Sequence, residues 1–272
     1  MNKEQSRPVA LVTGASSGLG AEFARQLAAR KHDLVLVARR EEQLKALAHQ
    51  LTQQYGIKAD VLVADLTADG DVETVARRIS TDPRLELLVN NAGFGALGNF
   101  SQAQLEPQLT MHRVHVLATV RLTHAALSAM VPRRHGGVIN VSSVAGFSRM
   151  PGHTSYAATK AWMTAFTECL HLELTMLGSP VRIQALCPGF TYTEFHDVLG
   201  MDRDKIMANP KWWMTAGFVV SESLKGLDRG DWLVIPGWRY RMLVRFLRVI
   251  PRALMHPIVI RVARKREGVT RQ

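Results

Sequence analysis

The chain has 272 residues, 47% hydrophobic and 21% charged, with scattered glycine and proline and no repeat or low-complexity run, which fits one domain with a full core. No apolar run approaches the ~18 residues of a membrane span, and the two cysteines, Cys169 and Cys187, give neither a disulfide framework nor metal-ligand spacing. The net charge is +11, but ten basic residues against one acid (Glu267) lie between Arg239 and Arg271, which places +9 there and +2 on the rest and excludes a nucleic-acid footprint spread over the fold.

In chain order, the polar start "MNKEQSR" runs straight into the strand-like "VALVT", with no signal-peptide h-region ahead of it, so a cytoplasmic location is expected. Apolar, β-branched runs bounded by turn signals then recur at "DLVLVA", "ADVLVA", "LELLVN", "GVINVSS", "VRIQALC" and "DWLVIPG". Between most of them lie segments of helical period, such as "GAEFARQLAAR", "EEQLKALAHQLTQQY" and "DVETVARRI". Strands alternating with helices predict an α/β fold: a single Rossmann-type, doubly wound parallel sheet of about seven strands with helices on both faces. Residues 1–237 are expected to form the body of this Rossmann-type domain, and 238–272 a basic amphipathic C-terminal extension of it.

Ligands of such sheets bind beyond the carboxyl ends of the strands, near the point where strand order reverses. The residues there are "TGASSGLG", "ARR", "ADL", "NNAG", "SSVAG" and "CPGFTYT". Gly14, Gly18 and Gly20 sit in a strand-to-helix turn, where missing side chains let backbone N–H groups approach a pyrophosphate. The second strand ends in Arg39 and Arg40 with no acid, a pair that can fork onto a 2′-phosphate, so NADP(H) is expected over NAD(H). A solvated basic turn is the alternative. Tyr156 and Lys160 are four apart in a helical segment and share a face. An ammonium beside a phenol favours the phenolate, and Ser143 at the end of "GVINVSS" can hydrogen-bond a carbonyl oxygen at the same mouth.

"TGASSGLG", "NNAG", "SS" followed by "YAATK", and "PG", in that order, resemble the short-chain dehydrogenase/reductase family over about residues 9–237. The resemblance implies a Ser143–Tyr156–Lys160 catalytic set: Ser143 orients the carbonyl, Tyr156 gives the proton as hydride arrives, and Lys160 lowers the Tyr156 pKa and binds the nicotinamide ribose. It further implies that Gly14, Ser16, Ser17, Gly18, Leu19 and Gly20 line the pyrophosphate, and that Asp65 and Leu66 bracket the adenine. Asn91, Ala92 and Gly93 would support the cofactor, with Asn90 on the central strand, and Pro188, Gly189, Thr191 and Thr193 would close around the nicotinamide end. Two positions depart from the family pattern. Ser17 stands where NADP-users often carry Lys or Arg, and His115 stands where an asparagine normally helps hold a water of the proton relay. Histidine can hold a water too, but it is bulkier and titrates near neutrality, which predicts a shifted pH profile. A metal pair of His112 and His115 lacks a cysteine or carboxylate to complete it.

Beyond Thr193 large apolar residues accumulate: Phe195, Leu199, Met201, Ile206, Met207, Trp212, Trp213 and Met214. They suit cover over an apolar substrate, or a lid packed on the body. In the tail, Arg241, Arg245, Arg248 and Arg252 follow helical spacing among apolar residues, and Pro251 and Pro257 are expected to break or restart the helix. Such a helix can lie on an anionic membrane surface, or pack its apolar face on the domain or across a dimer. The tail resembles a subgroup that includes 3-oxoacyl reductases. The expectation is an NADP(H)-dependent oxidoreductase acting on a small apolar carbonyl or alcohol substrate, a homodimer or homotetramer without nucleic acid. The alternative is an NADP(H)-binding sensor or scaffold with little turnover.

Overall fold

A computed structural model describes residues 7–96, 98–194 and 210–267. The strands β1 (Val9–Thr13), β2 (Asp33–Ala38), β3 (Ala59–Val63), β4 (Leu85–Asn90), β5 (Gly137–Val141) and β6 (Arg182–Leu186) follow the apolar runs closely. A two-residue pair, β7 (Thr191–Tyr192) with β8 (Met214–Thr215), stands apart from the main sheet, which β9 (Leu233–Val234) completes. The main sheet has seven strands, all pairings parallel, in the order β3-β2-β1-β4-β5-β6-β9. Strand order therefore reverses between β1 and β4, which opens a crevice at their carboxyl ends.

Period-2 alternation divides the core in two. Ala10, Val12, Leu34, Leu36 and Val89 face α1 (Gly18–Ala29), α2 (Glu41–Tyr55) and a helix further on, Ala216–Arg229. Val9, Leu11, Val35, Val37 and Leu88 face α3 (Asp69–Thr81) and the long helices between β4 and β6. Strands apolar on both faces are what a sheet covered twice requires. Strand β3, at the edge, is only partly covered.

Between β4 and β5 the chain forms α4 (Leu105–His112), a π-helical stretch Arg113–Ala118, and α5 (Thr119–Met130) without interruption. After β5 come the single turn α6 (Ala145–Ser148) and α7 (Thr154–Met176). Beyond β8 lie α8 (Ala216–Arg229), α9 (Trp238–Val249) and α10 (Arg252–Glu267). Thr215 caps α8 by accepting a hydrogen bond from Phe218 N–H at 3.2 Å. Pro251 separates α9 from α10 as expected. Pro257 does not break α10 and lies inside it: its missing N–H removes one bond, to the Ala253 carbonyl, and that segment is exposed to water, which solvates the freed oxygen. Among the described residues no helix is long and apolar enough to cross a membrane.

A buried polar ladder fastens the long helices to the sheet. Asn90 of β4 donates to Thr123 Oγ1 of α5 at 3.0 Å and to Asn140 Oδ1 of β5 at 2.9 Å. Asn140 in turn donates to Thr167 Oγ1 of α7 at 3.0 Å. Asn140→Ala leaves donors of Asn90 and acceptors of Thr167 without that partner in a dry interior. It should lower stability by about 1–3 kcal/mol, read as a reduced midpoint in urea unfolding.

Candidate active site

The turn after β1 is held by hydrogen bonds that only small residues permit. Thr13 Oγ1 accepts from the Asn91 and Ala92 N–H groups, each at 3.0 Å, and the Asn91 amide donates back to the Thr13 carbonyl at 2.9 Å. Gly14 and Gly18 have φ of +65° and +56°, the left-handed region. At Gly20 a Cβ would stand 2.2 Å from the Gly14 carbonyl oxygen. The turn is thus folded so tightly on itself that the N-terminus of α1 stays bare of side chains at the crevice. Ser16, Ser17, Leu19 and Ala92 are partly buried around it, and Thr193 lies across Gly18, whose Cβ would be 3.3 Å from Thr193 Cβ.

Arg40 reaches over this turn. Its guanidinium donates to Ser16 Oγ at 3.1 Å, Ser17 Oγ at 2.6 Å and the Glu194 carboxylate at 3.2 Å. Ser17, short where a basic side chain was the expected family residue, leaves room for a cation arriving from the end of β2. Arg39 is more exposed and pairs loosely with Asp65 at 3.9 Å. Asp65 Oδ1 also accepts from the Thr67 backbone and hydroxyl, which fixes the turn after β3, and Leu66 beside it is buried.

Ser143, Tyr156 and Lys160 converge beyond β5. The Ser143 side chain hydrogen-bonds the Tyr156 phenol, and the Lys160 Nζ lies 5.8 Å from the Tyr156 ring centre. Lys160 is buried and donates to the Val141 carbonyl at 2.7 Å, while the Ser142 hydroxyl donates to the Lys160 carbonyl at 2.7 Å. Burial drives both titrations. It pushes the phenol up to about 12 against the pull of Ser143, and the lysine down to about 8. Tyr156 keeps part of its surface open to the crevice, so it is desolvated by its surroundings yet reachable from the mouth. In the protein by itself, desolvation of the phenol outweighs the one effect that favours its ionised form, the hydrogen bond from Ser143.

His115 also departs from expectation. It sits in the π-helical stretch, fully buried, and both ring nitrogens are engaged by protein. Nε2 accepts from the Phe94 N–H at 3.2 Å, so Nδ1 carries the proton and donates to Thr159 Oγ1 at 2.9 Å; Thr159 in turn donates to the Tyr156 carbonyl at 3.1 Å. Burial, with the Lys160 charge nearby, holds the imidazole well below its usual pKa. It is therefore neutral at neutral pH, and it links the β4 turn to the turn of α7 that carries Tyr156. Gly93 makes the space: a Cβ there would lie 2.5 Å from His115 Nε2. Among the described residues no cluster of His, Cys, Asp or Glu could hold a metal ion.

On the far side, Pro188 is buried and Thr191 Oγ1 donates to the Gly189 carbonyl at 3.0 Å. Gly189 lies on the ring of Tyr240, where a Cβ would come within 2.0 Å of a ring carbon. The Tyr240 hydroxyl accepts from Phe190 N–H at 2.9 Å and donates to the Trp212 carbonyl at 2.7 Å. Trp213 stacks on Phe190 and Tyr192, with ring centres 5.3 and 4.9 Å apart. Phe195, Leu199, Met201, Ile206 and Met207 lie outside the described residues. Sequence reasoning missed Thr13, Thr159, Glu194 and Tyr240. Only Thr13 had a local signal, a hydroxyl at a strand end beside the first glycine of the turn.

A model of the short chain dehydrogenase family matches residues 8–204. The chain is similar to a 3-oxoacyl-(acyl-carrier-protein) reductase of Aquifex aeolicus, 31% identical over 192 residues, 70% of this chain and 77% of that protein. Among solved structures it is similar to a short-chain dehydrogenase from Sphingobium yanoikuyae in complex with NADPH, 35% identical, with a TM-score of 0.80 over 90% of this chain and 97% of the other. It also resembles the bulky-bulky ketone specific alcohol dehydrogenase from Comamonas testosteroni, 31% identical, with a TM-score of 0.76 over 90% and 96% of the two chains.

The close seat of His115 on Gly93 is testable. Gly93→Ala should destabilise the protein by about 1–3 kcal/mol, because the ring is pinned at both nitrogens and cannot step aside. In the His115→Ala background the same substitution should be milder, with a coupling of about 1 kcal/mol or more in a double-mutant cycle of urea midpoints. Additive effects would mean that the two positions do not press on each other.

Proposed function

The chain belongs to the short chain dehydrogenase family, and on that premise we propose that it is an NADPH-dependent reductase of apolar ketones or 3-oxoacyl groups, reversible as an alcohol dehydrogenase. The observation that carries this reading is the hydrogen-bonded Ser143–Tyr156 pair beside buried Lys160, at the carboxyl end of β5 and next to the crevice of strand reversal.

A nicotinamide dinucleotide fits the residues present. The bare backbone at Gly14, Gly18 and Gly20, which a Cβ would fill or strain, opens onto the N-terminus of α1 and suits a pyrophosphate. Ser16, Ser17 and Leu19 line the same turn; Asp65 and Leu66 would flank the adenine. Asn91, Ala92 and Gly93, with Pro188, Gly189, Thr191 and Thr193, would border the nicotinamide half, and Lys160 would reach the ribose hydroxyls. Arg40, steadied by two serine hydroxyls, and Arg39 favour the 2′-phosphate of NADP(H). When bound in its reduced form the group supplies hydride to the carbonyl carbon.

The chain's own residues handle the proton. Ser143 donates a hydrogen bond to the substrate carbonyl oxygen and fixes its position. Tyr156 holds its phenolic proton up to about pH 12, so at neutral pH it is loaded as the acid that protonates that oxygen. The Lys160 ammonium stabilises the phenolate left behind, before a proton from solvent restores it. His115 acts through Thr159 on the α7 turn and touches no reacting atom. The aromatic wall of Phe190, Tyr192 and Trp213 suits an apolar substrate, in line with the ketone and 3-oxoacyl activities named for the similar proteins. Assembly as a homodimer or homotetramer would cover Leu117, Val120, Leu172 and Met176, apolar residues exposed on the long helices.

Purified protein should oxidise NADPH with ketones and 3-oxoacyl thioesters, faster as the chain lengthens, and Tyr156→Phe should lower the rate by about 10²–10⁴-fold. NADPH binding without turnover on any carbonyl would instead support the sensor reading. The value of kcat/KM for reduction should fall as pH rises through about 8, because Lys160 loses its proton there while Tyr156 keeps its own. Arg40→Ala should raise KM for NADPH by about tenfold or more and leave that for NADH nearly unchanged, since one charge-assisted contact to phosphate is worth about 1.5–3 kcal/mol. Equal changes with both cofactors would remove Arg40 from the 2′-phosphate.

A further inference from the structure

Helix α9 has two apolar faces, and the body of the protein covers only one. Tyr240 and Val244 are buried, four residues apart, against the 189–190 turn and α6. On the opposite side Trp238, Met242, Phe246 and Val249 recur at intervals of four, four and three, so they too share a face, and they are 61%, 55%, 60% and 77% exposed. Arg241 and Arg245 border that stripe at helical spacing, and among the described residues no carboxylate pairs with any arginine of α9. Helix α10 repeats the pattern. Leu254, Ile258 and Val262 are exposed at intervals of four, with Arg261 and Arg264 beside them, and none of the residues of α10 whose burial is described is buried.

We infer that α9 and α10 form a docking surface for an anionic lipid bilayer, with the apolar stripes seated at the headgroup boundary and the arginines on lipid phosphates. Three observations favour this occupant. The surface combines an apolar stripe, a tryptophan at its end and charges that are positive but for Glu267, the composition of an interfacial helix. Of the chain's +11 net charge, ten basic residues and one acid fall between Arg239 and Arg271, so the attraction is for an anionic partner. A second copy would bring the same arginines face to face across an isologous contact, and like charges there oppose pairing. This inference is independent of the proposed reduction.

The full-length protein tests it by co-sedimentation with vesicles of equal phosphatidylglycerol and phosphatidylcholine, and with vesicles of phosphatidylcholine alone. Wild type should pellet with the anionic vesicles, lose binding as salt is added, and stay mostly in solution with the neutral ones. Trp238→Ser/Met242→Ser/Phe246→Ser and, separately, Arg245→Glu/Arg261→Glu should each weaken binding by about tenfold or more, with circular dichroism unchanged. The inference is overturned if wild type stays in solution with anionic vesicles, or if the charge-reversal variant pellets as wild type does. It is also overturned if vesicle-free ultracentrifugation shows that the serine variant has lost an oligomer, or if the tail retains duplex DNA but not vesicles.

Discussion

The turn after β1 and the turn after β4 come into direct contact at the point where strand order reverses, and the rest of the site is built outward from that contact. The Thr13 hydroxyl collects the Asn91 and Ala92 N–H groups, and the Asn91 amide returns a bond to the Thr13 carbonyl. Backbones held this close leave no volume for a Cβ at Gly14 or Gly20. The same approach fixes Gly93, whose missing side chain is filled by the His115 ring. From His115 the contact passes through Thr159 to the Tyr156 carbonyl. A line of hydrogen bonds and close contacts thus runs from the glycine turn to the helix that carries Tyr156, so the proposed dinucleotide cradle and the proposed proton donor are parts of one framework.

That framework is dry, and dryness decides its electrostatics. Two opposed effects act on Tyr156: hydrogen bonding by Ser143 favours the phenolate, and burial disfavours it. Burial wins. The same burial lowers Lys160, whose ammonium has the Val141 carbonyl as partner and, among the described residues, no carboxylate. The outcome suits the proposed reduction, in which the Tyr156 phenol would begin protonated. His115 follows the same rule: it was expected to bring a titration near neutrality, but full burial and two fixed hydrogen-bond partners keep it neutral.

The sheet and most of the cradle were legible because they depend on short-range signals. Continuous apolar runs mark strands covered twice, and glycines at strand ends mark close backbone approach. Tyr156 and Lys160 share a helix face by spacing alone. What escaped depends on contacts between residues far apart in the chain. Nothing near Gly189 announces that the ring of Tyr240 lies on it. Ser17 was a departure from pattern until the Arg40 side chain was seen to reach it across the turn. The partners of His115, at Phe94 and Thr159, come from a different turn and a different helix. Pro257 was misjudged for another reason: helix breaking by proline is strongest where the freed carbonyl is buried, and α10 is exposed.

Helix α9 is where the site and the surface meet. Trp238 and Tyr240 are two residues apart, about 200° around a helix, so one must point outward if the other points in. Tyr240 is committed inward by Gly189, Phe190 and Trp212, and this sets the rotation of the whole helix. Met242, Phe246 and Val249 are then carried to the outer face with Trp238. At the other end Arg248 lies over the Phe147 ring of α6, 5.1 Å from its centre, and α6 begins two residues after Ser143. The packing that shapes the crevice therefore also dictates which side chains α9 offers outward. A change that rotates the helix to bury the outer stripe would pull Tyr240 off Gly189 and release the turn beside the proposed nicotinamide site. The stripe is exposed because the site needs the opposite face.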